Sequence, residues 1–175
     1  MNKLGQKFKN LFMKKPKLLF VVKKSQKVFS YSHNSSGLFN SANFVVKMLH
    51  RDGVDAKIVE VIDGNNIDRE ITLFKPDTVI VEAFWCPPYK LQELQKLHPK
   101  VRFVVRNHSK PEFLAQEGIA FDYSIEYFKL GIKIACNSHD MVDAYKVLLK
   151  SQNLSHTLVF YLPNYYFNEL EHKCI

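Results

Sequence analysis

The residues best suited to chemistry lie in two short polar stretches. The first is Arg106-Asn107-His108-Ser109, which directly follows an apolar run. An imidazole placed just past a strand end can serve as a general base or hydrogen-bond a polar ligand. The plain alternative is that His108 only satisfies neighbouring backbone groups and that Ser109 caps a helix. The second stretch, Tyr31-Ser32-His33-Asn34-Ser35-Ser36-Gly37, ends in small residues ahead of a helical pattern. Free amides at such a helix start can hold a phosphate or a hydroxyl.

Further candidates flank these two. Glu82 ends an apolar run and can pair with a hydroxyl or with Arg106, the ion pair being the favoured reading. Phe84, Trp85 and Tyr89 form an aromatic group in a proline-rich loop, able to stack on a ring but more commonly an anchor for the loop. Ser138 stands where a helix cap is needed. His139 reads as a surface residue near a helix start. The candidate set is therefore His108 as the catalytic group, with His33, Ser36, Gly37, Glu82, Trp85, Arg106, Asn107 and Ser138 as binding residues.

Several chemistries lack their motifs. The loop after the first apolar run is Lys23-Lys24-Ser25-Gln26, without the glycines of a dinucleotide fingerprint, and no P-loop, HExxH or GxSxG pattern occurs. Cys86, Cys136 and Cys174 are far apart, so neither a zinc set nor a disulfide framework is indicated, and no cofactor or metal is expected.

The elements that must position these residues alternate along the chain. Short β-branched runs at 17–22, 56–62, 78–81, 101–105, 132–136 and 157–162 read as six strands. Helical patterns separate them at 36–51, 67–74, 89–97, 113–130 (broken near Gly118) and 138–149. Ser109 and Glu112 have capping-box spacing. Such alternation predicts an α/β fold: a parallel sheet of about six strands with helices on both faces. With the common 3-2-1-4-5-6 order, strands one and four lie side by side. The loops carrying Gly37 and His108 then flank one crevice at the carboxyl ends of the strands.

The chain is 175 residues long and 46% hydrophobic, the length of one ordinary domain. Its net charge of +8 is uneven. Residues 1–51 contain ten Lys and one Arg without an acid, while the remainder holds 14 basic and 17 acidic groups, or −3. Leu4, Phe8, Leu11 and Phe12 at helical spacing among lysines make 1–16 a basic amphipathic segment. It suits packing on the protein body or contact, through residues 3–17, with an anionic membrane surface; nucleic acid is a weaker match. No apolar run spans a bilayer and no signal-peptide core is present, so a cytoplasmic chain, peripheral at most, is expected. The domain proper is placed at 17–167, with 168–175 as a tail or linker.

The order of short motifs resembles the N-terminal, acceptor-side half of GT-B glycosyltransferases of the family 4-like group. The resemblance is carried by Ser35-Ser36-Gly37, the helix end and strand from Leu49 through Gly53 to Val59, Lys75-Pro76-Asp77, His108, Ile134-Ala135-Cys136-Asn137-Ser138 and Leu162-Pro163-Asn164. It implies a Rossmann-like domain and, in the complete enzyme, sugar transfer from a nucleotide sugar to an acceptor hydroxyl. His108 would lie near the acceptor and Gly37 near donor phosphates. The donor-binding half of that family is absent from the sequence, so a partner half or a homodimer would be required for turnover. The alternative is a noncatalytic Rossmann-like binding or interaction module with a basic N-terminus that contacts membrane or nucleic acid.

Overall fold

The computed structural model describes residues 15–24, 37–116 and 118–165. His33, Ser36, Cys174, most of the basic 1–16 segment and the 168–175 tail lie outside the described residues. Six parallel strands form one sheet: β1 (Lys17–Lys23), β2 (Asp55–Val61), β3 (Thr78–Glu82), β4 (Arg102–Asn107), β5 (Lys133–Cys136) and β6 (Val159–Tyr161). Helices α1 (Gly37–Arg51), α2 (Asn65–Phe74), α3 (Pro88–Leu97), α4 (Pro111–Gln116), α5 (Gly118–Lys129) and α6 (His139–Ser151) connect them. The expected α/β class and strand count hold. No helix among the described residues is long and apolar enough to cross a membrane.

Local chemistry explains the boundaries. Gly53, at φ +74, ends α1 in the left-handed region that glycine enters without a Cβ penalty. Asp63 accepts a hydrogen bond from the Asn65 amide at 2.8 Å, folding the turn into α2. Pro88 opens α3, where no amide proton is needed. The Leu114 amide donates to the Lys110 carbonyl, so Lys110 rather than Ser109 occupies the cap position of α4. All five residues of β3 are buried, as a continuous apolar run covered on both faces should be.

The strand order is β2-β1-β3-β4-β5-β6, which corrects the 3-2-1-4-5-6 expectation. β3 lies between β1 and β4, with Val21 beside Val81 and Val81 beside Val105. The order reverses at β1 and β3, so the switch point is there. Crossovers between parallel strands are right-handed. The single leftward step, β1 to β2, therefore places α1 on one face, and the four rightward steps place the other helices opposite. Two buried clusters record this. Phe20, Val22, Ala56 and Ile80 pack with Ala42, Val45 and Val46 of α1. Leu19, Val21, Val79, Val81, Phe103, Val105 and Ile134 pack with the remaining helices.

Candidate functional site

Strand alternation decides which polar side chains meet. Glu82 and Arg106 are register partners on adjacent strands and point to the α1 face, opposite Val81 and Val105. Both are fully buried. The Arg106 Nη1 atom donates to Glu82 Oε1 at 3.4 Å, and His108 Nε2 meets Glu82 Oε2 at 2.5 Å. Arg106 Nη2 donates to Asn164 Oδ1 at 3.2 Å, tying the segment after β6 back onto β4. Each carboxylate oxygen of Glu82 is thus engaged, one by a permanent cation and one by an imidazole that stays 15% exposed.

Around this network the loops are held by amide side chains. Asn107 accepts from the Ser109 amide at 2.9 Å and donates to the Ser109 carbonyl at 3.1 Å, pinning the turn behind His108. Asn137 donates to the His108 carbonyl at 3.1 Å. The His108 backbone is consequently fixed from both sides. Ala83 adopts φ +68 directly after Glu82, a conformation that costs an L-residue about 1–2 kcal/mol. Its amide donates to the Arg106 carbonyl at 2.9 Å, and the chain turns so that Phe84 stacks on Tyr127.

His108 opens into a crevice of about 570 Å³ lined also by Gly37, Leu38, Ser41, Phe44 and Asn164. The structure therefore brings Gly37 and His108 to one crevice, with Glu82 and Arg106 bracing His108 and Asn164, although β3 separates β1 from β4. Trp85 belongs elsewhere. It lines a separate cavity of about 300 Å³ with Lys23, Asp63, Gly64 and Tyr89. Ser138 is the N-cap of α6, its hydroxyl accepting from the Met141 amide at 3.3 Å. Ser138→Ala is expected to lower stability by about 1 kcal/mol, read from a urea unfolding midpoint, with no change in crevice binding.

Asn164, Ser41 and Ala83 were not among the sequence candidates. Asn164 has a legible signal in the Leu162-Pro163-Asn164 strand end, but its partner is 58 residues earlier. Among the described residues the buried Ser41 hydroxyl in mid-helix, Arg106 Nε, Asn137 Oδ1 and Trp85 Nε1 have no hydrogen-bond partner. Buried polar atoms of this kind are what a bound water or ligand satisfies. Among the described residues no group of three or more His, Cys, Asp or Glu is placed to hold a metal ion.

No family model matches the chain, and no curated protein matches it. Solved structures similar to it include receiver domains. A LuxR-family two-component response regulator from Aurantimonas sp. SI85-9A1 shares 11% identity, covering 76% of this chain and 85% of that one at a TM-score of 0.44. The isolated REC domain of RcsB from Salmonella enterica serovar Typhimurium shares 9% over 84% and 94%, at 0.43. The N-terminal domain of a response regulator receiver protein from Methanoculleus marisnigri JR1 shares 16% over 76% and 94%, at 0.37. At these identities and scores the likenesses carry no functional argument. The likeness to receiver domains nevertheless corrects the glycosyltransferase resemblance. The 2-1-3-4-5 start of the sheet is also the flavodoxin-like order. The physical reason for the misreading is that its motifs are generic: small residues before a helix, Pro-Asp before a strand and Asn-Ser at a cap recur wherever a parallel sheet alternates with helices. The acceptor-side half, sugar transfer and nucleotide-sugar ligands are set aside with it.

Proposed function

We propose that the chain is a noncatalytic α/β binding module whose ligand surface is the crevice between the start of α1, the loop after β4 and the segment after β6. The observation that carries this reading is the engagement of both Glu82 oxygens by Arg106 and His108 in a fully buried position. The Glu82 carboxylate beside the crevice histidine is committed to holding the wall in shape. Gly37, the first described residue of α1, lines the crevice with Ser41 and Asn164, and His108 offers the ring nitrogen that does not face Glu82. A small anion bearing hydroxyl groups fits that donor and acceptor set. The basic 1–16 segment supplies a second contact, to an anionic lipid surface, which places the module peripherally at a membrane; vesicle co-sedimentation that weakens with added salt checks that contact.

The crevice is tested by amide chemical shifts of the isotopically labelled chain during titration with inorganic phosphate and with ribose 5-phosphate. Shifts are expected at Gly37, His108 and Asn164, with the added compound recovered unchanged. His108→Ala is expected to weaken binding about tenfold, the loss of one hydrogen bond of about 1–1.5 kcal/mol. Conversion of the added compound, or shifts that avoid these three residues, would refute the reading.

A further inference from the structure

The left-handed turn at Ala83 divides the loop after β3 between two places. Glu82, before it, braces the His108 crevice. After it, Phe84 stacks on Tyr127 and Trp85 packs beside the larger buried cluster, on the side of α2 and α3. The chain is then held on a fixed course. The Cys86 carbonyl accepts from the Tyr127 hydroxyl, and Pro87 is extended at φ −61 and ψ 146 ahead of Pro88, which opens α3. Trp85 and Tyr89 are therefore presented by a loop with little freedom to rearrange.

Both rings line the cavity of about 300 Å³, together with Pro87, Lys90, Gly64 and Lys23. That volume is at the small end of ligand pockets. Tyr89 is 72% exposed, and its ring stacks on no other among the described residues. The Lys90 side chain, in contrast, is only 12% exposed, and its ammonium donates to Glu93 Oε2 at 2.8 Å. Gly64 makes room for it. A Cβ at that position would stand 2.8 Å from Lys90 Cγ, closer than a packed contact allows. The Lys24 amide donates to the Val61 carbonyl at 2.8 Å, so the end of β1 that carries Lys23 is fixed beside β2.

The polar groups of the lining that lack a partner are donors. Trp85 Nε1 is buried without a hydrogen-bond partner, and Lys23 has no ion pair among the described residues. Lys90 keeps two further ammonium protons beyond its bond to Glu93. The two carboxylates of the lining are already engaged, Asp63 by the Asn65 amide and Glu93 by Lys90. An occupant must therefore accept hydrogen bonds, carry negative charge and offer a flat apolar face. We propose that this cavity binds a small aromatic carboxylate, its ring against Tyr89 and Pro87 and its carboxylate shared by Lys90 and the Trp85 N–H. The site is distinct from the His108 crevice in both position and ligand chemistry.

Trp85 is the sole tryptophan of the chain, so emission excited where tyrosine does not absorb reports this cavity directly. Titration of the full chain with phenylacetate is expected to change that emission saturably and to shift the Gly64, Tyr89 and Lys90 amide signals. Acetate, which lacks the ring, and benzyl alcohol, which lacks the charge, should each bind about tenfold more weakly or worse. Lys90→Met removes the ammonium but keeps most of the stem, and should weaken phenylacetate about tenfold. Gly64 has φ −64, open to any residue, so Gly64→Ala should also weaken binding by displacing the Lys90 stem and not by straining the backbone. Tyr89→Ala, at an exposed position, should weaken it about fivefold with an unchanged unfolding midpoint. Emission that does not saturate, equal binding of acetate or of benzyl alcohol, or shifts confined to Gly37, His108 and Asn164 overturns the proposal. Phosphate binding at the crevice is read at those last three residues, so failure here leaves that function standing.

Discussion

Glu82→Ala is expected to destabilise the fold by about 3–5 kcal/mol, because it leaves the Arg106 guanidinium buried without its counter-charge. In a chain of this length that corresponds to a fall in Tm of about 6–20 °C. His108 loses its brace in the same step, so crevice binding should weaken alongside stability. The network's geometry makes a sharper statement available through a double change. Glu82→Met with Arg106→Met removes both charges, and replacing a buried pair by apolar residues of similar volume is often neutral or stabilising. The double variant should therefore recover most of the stability lost in the single one while still failing to hold Asn164 across the crevice. Urea unfolding of wild type, Glu82→Met, Arg106→Met and the double variant closes the cycle. A Glu82→Ala protein as stable as wild type would mean that Arg106 has another partner and that the network is not what shapes the wall.

The parts of this fold legible in the sequence are those set by neighbours a few residues apart. The continuous run Thr78-Val79-Ile80-Val81 reads directly as a strand buried on both faces, and its burial bears this out. Ser138 ahead of a helical pattern reads as a cap, and its hydroxyl accepts from Met141. The expected break in the 113–130 stretch falls at residue 117, outside the described residues, with helix on either side of it. Strand order was not legible, because no local pattern encodes which run pairs with which. Placing β3 between β1 and β4 depends on crossover handedness and on total burial, properties of the assembled sheet. The candidate site divides in the same way. Glu82 and Arg106 are legible as candidates because each ends an apolar run, but the β3–β4 adjacency that lets them meet belongs to the assembled sheet. Asn164 reaches that pair only after the chain has traversed two more strands and three helices. Ala83 carries no signal at all, since its left-handed backbone is imposed by the loop's tertiary fixings and not by its side chain.

That division also explains why a family resemblance assembled from short motifs can mislead. Caps, turn residues and apolar runs answer to the needs of single elements, and every parallel sheet has them. What separates one doubly wound fold from another is the sheet order and the way strand-end polar groups converge, and here those were fixed by long-range pairings. The consequence for function is concrete: the chemistry at the strand ends had to be taken from the Glu82, Arg106, His108 and Asn164 contacts, which no motif contained.

A loss of stability at alkaline pH is the second large effect expected, and it follows from the buried thiols. Cys86 and Cys136 are fully enclosed, and burial disfavours their thiolates, pushing each pKa from 9.0 up to about 12. Lys90 opposes this at Cys86 and a hydrogen bond from Asn107 opposes it at Cys136, but desolvation is the larger cause at both. Burial also drives the Tyr127 and Tyr145 hydroxyls upward; Tyr127 donates to the Cys86 carbonyl and Tyr145 shares a hydrogen bond with Ser124. The sign is the same for all four. Once the pH passes the value at which the unfolded thiol titrates, the unfolded chain gives up protons that the native chain retains, and unfolding is favoured. Each thiol then removes about 1.4 kcal/mol per pH unit, from about pH 9 until its folded pKa is reached. Below pH 9 these groups contribute no slope. Unfolding midpoints from about pH 7 to pH 11 should therefore be flat with respect to the thiols and then fall steeply. The Cys86→Ala and Cys136→Ala double variant starts less stable, from its cavities, and should lose stability more shallowly above pH 9. A wild-type slope that matched the double variant's, or native Cys86 and Cys136 reacting with a thiol reagent below pH 9, would show that the two thiols are not held neutral by the core.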